Sequence, residues 1–390
     1  MNVDVAVVHS EYIEKTEFAT FENVDYIRTG YNQIRNLLQV RKYDKILIHF
    51  FDPAYFQLLE PQDLSNTQII LYSHGTDALY RAFDVIGRPY FVSDYVVPES
   101  FTKTFALRDY YIKKYNNLPN VKFVFVSNWA KKMSEELLKI KYNNAEVIPC
   151  FIDERQFPYT EKDPELRKRV FVLRKFDDLS TYSIDIDVRV ILELSHRKCF
   201  NDMEFSIYGD GGIHDKLVEP LRKFSNVHIY RKFLSHDEIK MMQKENGIGL
   251  FATRFDTQAV SSCEAAMAGC VVVSSKNVGT CEYIDPKIGA FCETENIIEY
   301  ADLIEELYND PKLFKTMSEK MHDSVMKTCS YKYSIKKDMD MILSFDKTEK
   351  IKVPDIKKNP ILSIVIPSYN VGKYINCLLY TSDAADDRIS

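Results

Sequence analysis

The stretch from Phe251 to Ile284 constrains the fold most, because it joins a strand, a polar loop, a short helix and a second strand. Its small and apolar residues predict a helix that ends at Gly269, a residue suited to a left-handed C-cap. The valines of 271–273 predict a buried parallel strand. Asp256 and Glu264 lie around the step from loop to helix. Because ligands of open α/β sheets bind at the carboxyl ends of strands, we expect both carboxylates to face a ligand.

Short apolar runs alternate with helical patterns through both halves of the chain, which predicts parallel sheets covered by helices. The predicted strands of the first half are Val3–Val8, Lys45–Phe50, Gln68–Tyr72, Lys122–Val126 and Glu146–Ile148. Those of the second half are Arg169–Leu173, Met203–Ile207, Val227–Tyr230, Gly247–Phe251 and Val271–Ser274. Tyr31–Val40 is the clearest early helix, and 296–307 and 311–327 are amphipathic helices. We predict an α/β protein with two doubly wound, Rossmann-like domains.

Composition excludes several classes of protein. The chain has 390 residues, 45% of them hydrophobic, which suffices for two cores of ordinary size. The net charge is -6 with both signs interspersed, so nucleic acid is not an expected partner. Eight cysteines without a Cys-x-x-Cys pair indicate reduced thiols. With no apolar run long enough to span a bilayer and no signal peptide, the sequence predicts a cytoplasmic protein.

Four polar segments follow predicted strands and are candidate binding loops. They contain His74, the pair Arg174–Lys175, the run Gly209–Asp210–Gly211, and the loop 276–282 with Gly279 and Thr280. Glycine-rich turns and helix starts bind anions through backbone amides. The first three segments also have a plain alternative, which is a surface turn for His74, a solvated basic pair for Arg174–Lys175 and a tight turn for the glycine run. Likewise, Ser261 and Glu264 have the spacing of a helix capping box.

Several of these segments resemble family 4 of the retaining glycosyltransferases. The run from Glu264 to Gly269, Glu-Ala-Ala-Met-Ala-Gly, is similar to the second half of that family's signature of two acids separated by seven residues. Asp256 stands where the family usually has Glu. Ser127-Asn128-Trp129 and the run from Ile148 to Asp153 resemble two further family motifs, although Cys150-Phe151 replaces the usual Asn-Gly of the second.

The resemblance implies the GT-B fold, in which two Rossmann-like domains face a cleft, here 1–157 for the acceptor and 158–345 for the nucleotide-sugar donor. It implies catalytic roles for His74, Arg174, Lys175, Asp256 and Glu264, with the basic pair on the diphosphate, Glu264 on the ribose and Asp256 on the sugar. It implies donor contacts from Gly209, Asp210, Gly211, Thr257, Gln258, Gly279 and Thr280. The family's Lys-Gly is absent after Arg174. No metal and no cofactor are expected.

The predicted reaction transfers a hexose from a nucleotide-diphosphate sugar to a glycan or lipid-linked acceptor, with retention of configuration. The setting that the resemblance implies is bacterial surface polysaccharide synthesis, in the cytoplasm or at the inner face of the membrane. Two alternatives remain open. One is a sugar-nucleotide epimerase of the same fold, and the other is an inactive glycan-binding domain that supports a fused transferase.

The last part of the chain departs from this pattern. Residues 346–360 are charged and predict a linker, and Ile361–Asn370 resembles the opening strand of family 2 glycosyltransferases. We therefore expect 361–379 to be a fragment of a second, fused transferase domain and 380–390 to be a non-native read-through. On this interpretation, residues from Asp346 onward make few contacts with the two Rossmann-like domains.

Overall fold

A computed structural model of the chain describes residues 3–8, 15–21, 24–75, 77, 99–177, 179, 182–276, 279–344 and 362–367. The chain divides into two compact units. The first comprises 1–150 and 335–390, and the second comprises 151–334. The sequence-based boundary between 157 and 158 therefore lies within the second unit, and residues 335–345, assigned to the donor domain, belong to the first.

Strands and helices alternate along both units. The strands are β1 Val3–Val8, β2 Thr16–Phe21, β3 Val24–Thr29, β4 Lys45–His49, β5 Gln68–Ser73, β6 Val121–Phe125, β7 Ala145–Val147, β8 Arg169–Leu173, β9 Glu204–Gly209, β10 Val227–Arg231, β11 Ile248–Phe251, β12 Val271–Ser275, β13 Phe291–Cys292 and β14 Leu362–Pro367. The α-helices are α1 Tyr31–Val40, α2 Pro53–Leu59, α3 Glu99–Asn116, α4 Asn128–Leu138, α5 Ile184–Leu194, α6 His214–Val218, α7 His236–Glu245, α8 Val260–Met267, α9 Ile297–Asn309, α10 Pro311–Cys329 and α11 Tyr331–Ser344.

The sheet of the first unit has the order β2-β3-β1-β14-β4-β5-β6-β7. All its pairings are parallel except that of β2 with β3. The central strands β4, β5 and β6 are buried on both faces, as continuous apolar runs predict. The hairpin of β2 and β3 was not predicted. Its alternation is weak, and Phe18, a large apolar residue, is 87% exposed.

The segment Leu362–Pro367 corrects one prediction. It forms strand β14, which pairs along its whole length with β1 and, through Ile364 and Val365, with β4. The expectation that the chain beyond Asp346 makes few contacts with the two domains is therefore wrong for this strand. The other residues of the predicted linker, family 2 fragment and read-through lie outside the described residues.

The last turns of helix α11 are hydrogen-bonded to the first sheet. The hydroxyl of Tyr72 on β5 donates a 2.8 Å hydrogen bond to Asp338, and the ammonium of Lys337 donates to the carbonyl of Val147 at 2.6 Å. The buried ammonium of Lys45 donates to the carbonyl of Ile342. These bonds explain why the chain returns to the first unit within this helix.

The sheet of the second unit has the order β10-β9-β8-β11-β12-β13, with every pairing parallel. Strands β11 and β12 are buried throughout. Sequence reasoning predicted β8 to the residue and the other strands to within two residues, apart from the two-residue β13, which has too few apolar positions to be recognised. Because parallel strands end at one edge, the loops after β8, β9, β11 and β12 meet there.

Removal of β14 tests the corrected tail. Ending the chain at Ser344 leaves β1 and β4 without their shared neighbour, so we expect the melting temperature to fall by at least about 4 °C. A chain that ends at Tyr369 keeps the strand and is the matched control. Thermal unfolding followed by circular dichroism compares the two, and equal melting temperatures would contradict the pairing of β14.

Candidate functional site

Two glycines set how closely the loops of the second unit approach each other at the carboxyl edge of its sheet. A Cβ atom at Gly209, which has a φ of 148°, would lie 1.8 Å from the carbonyl oxygen of Arg174. A Cβ atom at Gly279 would lie 2.0 Å from the carbonyl oxygen of Thr257. Neither position can accept a side chain, so glycine is required there to bring the loops together.

Arg174 follows β8 and is the central cation of this edge. It is 5% exposed, and its guanidinium carbon lies 5.2 Å from the ring centroid of Tyr182 and 4.7 Å from that of Phe251. We call these two rings the aromatic clamp; both distances are within the range of cation–π attraction. Nη1 donates to the Ser261 hydroxyl at 3.2 Å, while Nε and Nη2 are buried and have no hydrogen-bond partner among the residues that the structure describes.

Lys175 does not share this environment. Its side chain is 58% exposed, and its ammonium lies 2.9 Å from the carboxylate of Asp177. That carboxylate also accepts a 2.8 Å hydrogen bond from the backbone of Gly212. The structure thus separates the basic pair predicted from the sequence into a buried arginine with unused donors and an exposed lysine that is already paired.

Asp256 organises the start of helix α8. Its Oδ1 accepts hydrogen bonds from the backbone nitrogens of Gln258 at 3.1 Å and Ala259 at 2.8 Å. Ala259 has a φ of 57°, in the left-handed region that non-glycine residues rarely adopt. The loop is therefore held in a strained conformation, as is common at functional sites.

Glu264 lies within α8 and is 7% exposed. Burial alone raises the pKa of its carboxyl to about 8, and among the described residues no side-chain or backbone donor bonds to it. The capping-box alternative is wrong, because α8 begins after Ala259, without a side-chain cap, and Ser261 instead bonds to Arg174. A capping box does occur elsewhere, between Ser235 and Glu238 of α7.

The remaining predicted donor residues form two groups. Gly211 packs against Phe176 and Asp177, and Asp210 pairs with Arg231 at 2.8 Å, so that turn is explained by packing within the protein. The other group, Thr257, Gln258 and Thr280, is buried beside Gly279. Within the described part of the chain, the hydroxyl of Thr280 has no hydrogen-bond partner. A buried polar atom without a partner is costly, which makes it a candidate ligand contact.

In the first unit, His74 follows β5 and contacts two residues that surround its imidazole. Its Nε2 lies 2.8 Å from Nδ1 of the buried His49, and its Nδ1 lies 3.9 Å from the sulfur of Cys150. Desolvation lowers the pKa of both histidines, so both are neutral at pH 7. His74 is thus not a solvated surface histidine.

Asp77 holds the two loops that carry these histidines. Its carboxylate accepts hydrogen bonds from the backbone nitrogens of His74 and Gly75, from the Ser73 hydroxyl and from the backbone of Phe51. Phe50, beside His49, has a φ of 73°, and its ring lies 4.9 Å from that of His74. The strand-end position of His49 is the only sequence signal that could have identified this pair.

Comparison with known proteins agrees with this architecture. Residues 188–323, which include Asp256, Glu264 and Thr280, match the family described as glycosyl transferases group 1. Among curated proteins, none matches the sequence. Solved structures do match. Sucrose-phosphate synthase from Thermosynechococcus elongatus superposes with a TM-score of 0.66 at 12% identity, over 88% of this chain and 89% of that protein.

Two further structures are similar. One is the trehalose-6-phosphate structure from E. coli bound with UDP-2-fluoro glucose, with a TM-score of 0.63, 11% identity, and 89% and 93% of the two chains covered. The other is S. aureus TarM in complex with fondaparinux, alpha-GlcNAc-glycerol and UDP, with a TM-score of 0.61, 19% identity and 81% of this chain covered. The chain has the GT-B fold. It spans 59% of the length of TarM.

Two properties of this GT-B chain concern only the residues that the structure describes. None of their helices is both long and apolar enough to cross a membrane. They contain no group of three or more His, Cys, Asp or Glu side chains that could hold a metal ion. The expectation that the protein uses no metal and no cofactor stays a prediction.

The raised pKa of Glu264 predicts an unusual effect of substitution. The folded protein holds this proton up to about pH 8, whereas an exposed Glu loses it near pH 4.5, so burial of Glu264 costs stability increasingly as pH rises between these values. We expect Glu264→Gln to stabilise the protein by on the order of 1–3 kcal/mol at pH 8.5 and much less at pH 5. Urea unfolding at both values measures the difference.

Glu238→Gln is the matched control, because it is expected to change the free energy of unfolding in the opposite direction. Lys232 and the backbone of Ser235 lower the pKa of Glu238 to about 2, so its carboxylate contributes stability above pH 4.5 that is lost only as pH falls towards 2. This variant should therefore be destabilised at pH 8.5. If both substitutions destabilise the protein equally there, Glu264 is not a buried neutral acid.

Proposed function

We propose that this protein is a glycosyltransferase whose second unit binds a nucleotide-diphosphate sugar and whose Arg174 contacts the diphosphate. The observation that carries the proposal is the pair of buried, unpartnered donors on Arg174 at the carboxyl edge of the sheet. A buried guanidinium without hydrogen-bond partners is costly unless an anion completes its bonds. The match of residues 188–323 to glycosyl transferases group 1 supports a sugar nucleotide as that anion.

The aromatic clamp suits Arg174 to this task. Tyr182 and Phe251 attract the cation without using its hydrogen-bond donors, so Nε and Nη2 stay available for two oxygens of a phosphate. A carboxylate partner would occupy the same donors and cancel the charge. The sequence predicted that Arg174 and Lys175 both contact the diphosphate. Because Lys175 pairs with Asp177, we assign this contact to Arg174 alone.

The known contents of similar structures support uridine diphosphate as the carrier. TarM has been solved with UDP and alpha-GlcNAc-glycerol, and the trehalose-6-phosphate structure from E. coli with UDP-2-fluoro glucose. We therefore propose UDP-sugars as the first donors to test. The first unit, with His74 at its sheet edge, would bind the acceptor, a glycan or a lipid-linked saccharide.

Each remaining residue has a role consistent with its environment. Glu264, buried and without a donor, would bind the hydroxyls of the nucleotide ribose, whose hydrogen bonds favour its carboxylate form. Asp256 would orient the sugar, since its Oδ1 is already bonded to the backbone and its position at the loop is thereby held. The Thr280 hydroxyl, buried and unpartnered, would contact the donor from the neighbouring loop.

In the proposed reaction the bond between the anomeric carbon and the diphosphate breaks, and the acceptor oxygen forms a new bond on the same face of the sugar while its proton passes to the departing phosphate oxygen. Negative charge develops on the departing phosphate oxygen. Arg174, buried and preorganised by the aromatic clamp, stabilises that charge more in the transition state than in the bound donor. We propose retention of configuration and a role in bacterial surface polysaccharide synthesis at the cytoplasmic side of the membrane.

A panel of nucleotide sugars tests the function. Purified protein is incubated with UDP-, ADP- and GDP-hexoses, with and without saccharide acceptors, and release of the nucleoside diphosphate is measured. Release that depends on an acceptor, with an α-linked product from an α-linked donor, is expected. Conversion of the donor without an acceptor would indicate an epimerase instead. Binding of UDP without any turnover would indicate the inactive binding domain.

The neighbours Arg174 and Lys175 provide a matched pair of variants. Removing a preorganised group that stabilises developing charge costs on the order of a hundredfold or more in rate, so Arg174→Ala should lower kcat by that factor. Lys175→Ala removes an exposed ion pair and should change kcat by less than about fivefold. Steady-state kinetics with the best donor compares them. Equal losses in both variants would mean that the diphosphate does not bind at Arg174.

A further inference from the structure

A second buried acid, which the proposed reaction does not use, bonds to the backbone next to Phe251 of the aromatic clamp. Asp187, in the first turn of α5, is fully buried. Its Oδ1 accepts a 2.9 Å hydrogen bond from the backbone nitrogen of Ala252, and its Oδ2 is buried with no partner among the described residues. A carboxyl with one unsatisfied oxygen in the interior needs an explanation.

The local geometry ties Asp187 to the diphosphate site. Ala252, which bonds to Asp187, directly follows Phe251, one of the two rings of the aromatic clamp. Ser183, at the start of the same helix, donates from its backbone to the carbonyl of Ala252, and the adjacent Tyr182 is the other ring. Of the charges that act on Asp187, Arg174 is the strongest that favours its ionised form.

Arg254 and Tyr300, two other titratable groups that act near Asp187, make their hydrogen bonds to other residues. Arg254 makes two 2.8 Å hydrogen bonds to Asp185 and a 2.6 Å bond to Glu295. Asp185 itself repels a charge on Asp187. Tyr300 of α9 shares a 2.7 Å hydrogen bond with the Ser275 hydroxyl. Among these neighbours, Arg174 is thus the cation whose donors are not already taken by carboxylates.

We propose that Asp187 is a positioning residue that regulates the charge of the anion site. When Asp187 is neutral, the positive charge of Arg174 is balanced only by the bound diphosphate. When Asp187 is ionised, its negative charge partly neutralises Arg174 and weakens the attraction between Arg174 and the diphosphate. The inference rests on the proposed function, since it concerns the same site. Asp187 would be a regulatory group of that site. Binding of the anion and ionisation of Asp187 would each make the other less favourable.

The pH range of the effect follows from burial. Desolvation raises the pKa of Asp187 to about 8, so the acid is mostly neutral at pH 7 and mostly ionised at pH 9. Ionisation of Asp187 should therefore lower the affinity for a diphosphate above about pH 7.5 and leave it unchanged below. Binding near pH 8 should be accompanied by proton uptake at this carboxyl.

Isothermal titration with UDP between pH 7 and 9.5 tests the proposal. The terminal phosphate of UDP, with a second pKa of about 6, stays ionised over this range. Glu264 titrates over the same range in every protein compared, so its effect cancels in a ratio of affinities. We expect the affinity of the unaltered protein, divided by that of Asp187→Asn, to fall about five- to tenfold between pH 7 and 9.5, because the asparagine keeps an acceptor for Ala252 but cannot ionise. Asp177→Asn, an exposed acid in the loop after β8, is the control, and its affinity divided by that of Asp187→Asn should show the same fall.

The outcomes separate the inference from the function on which it rests. If UDP, ADP and GDP all fail to bind at every pH, the proposed donor site is wrong and the inference falls with it. If UDP binds but Asp187→Asn shows the same pH dependence as the unaltered protein, only the role of Asp187 is overturned.

A second measurement covers the case in which Asp187→Asn does not fold. Glu264→Gln keeps a side-chain carbonyl that can accept a hydrogen bond from the ribose but removes the other buried acid of the site, so proton uptake on binding of UDP then reports on Asp187. Titrations at pH 8 in buffers of different ionisation enthalpy should give an uptake of roughly half a proton. No uptake would overturn the proposal.

Discussion

The contact between Gly209 and the backbone of Arg174 is the constraint on which the second unit's binding edge depends. Without a side chain at Gly209, the loop after β9 lies directly on the loop after β8. Arg174 is thereby fixed at the end of its strand, between Tyr182 and Phe251. The second glycine contact, between Gly279 and Thr257, brings the loops of Thr280 and Asp256 together in the same way. Rigid backbone contacts position the polar groups, and side-chain bonds remain available for a ligand.

Much of the fold could be predicted from the sequence, because continuous apolar runs and amphipathic periodicity are local signals. Strand β8 and helix α1 were predicted to the residue for this reason. Strand β14 was also recognised as a strand, but its partners β1 and β4 were not. A strand's sequence records which faces it buries, whereas its neighbours depend on chain segments more than three hundred residues away.

The candidate site was only partly predictable for a related reason. Arg174 and Lys175 are adjacent and equally basic in the sequence, yet consecutive residues at a strand end point in opposite directions, and only one is buried. Asp187 and Tyr182 carry no motif, so nothing in their local pattern indicates that Tyr182 lies against Arg174 or that Asp187 bonds to the backbone beside Phe251. Motif spacing predicts Asp256 and Glu264 as site residues, but their hydrogen bonds and burial could be described only from the tertiary structure.

Phe50 has a strained backbone conformation, and its ring helps to order the imidazole of His74. Glycine would adopt its left-handed conformation freely, whereas an L residue with a large ring does so at a cost of about 1–2 kcal/mol. The ring contacts His74, and the next peptide nitrogen bonds to Asp77. A glycine would relieve the strain yet remove the ring that confines the imidazole. At position 50, thermal stability and the order of His74 therefore oppose each other. A glycine would favour stability, whereas the phenylalanine favours a well-ordered His74.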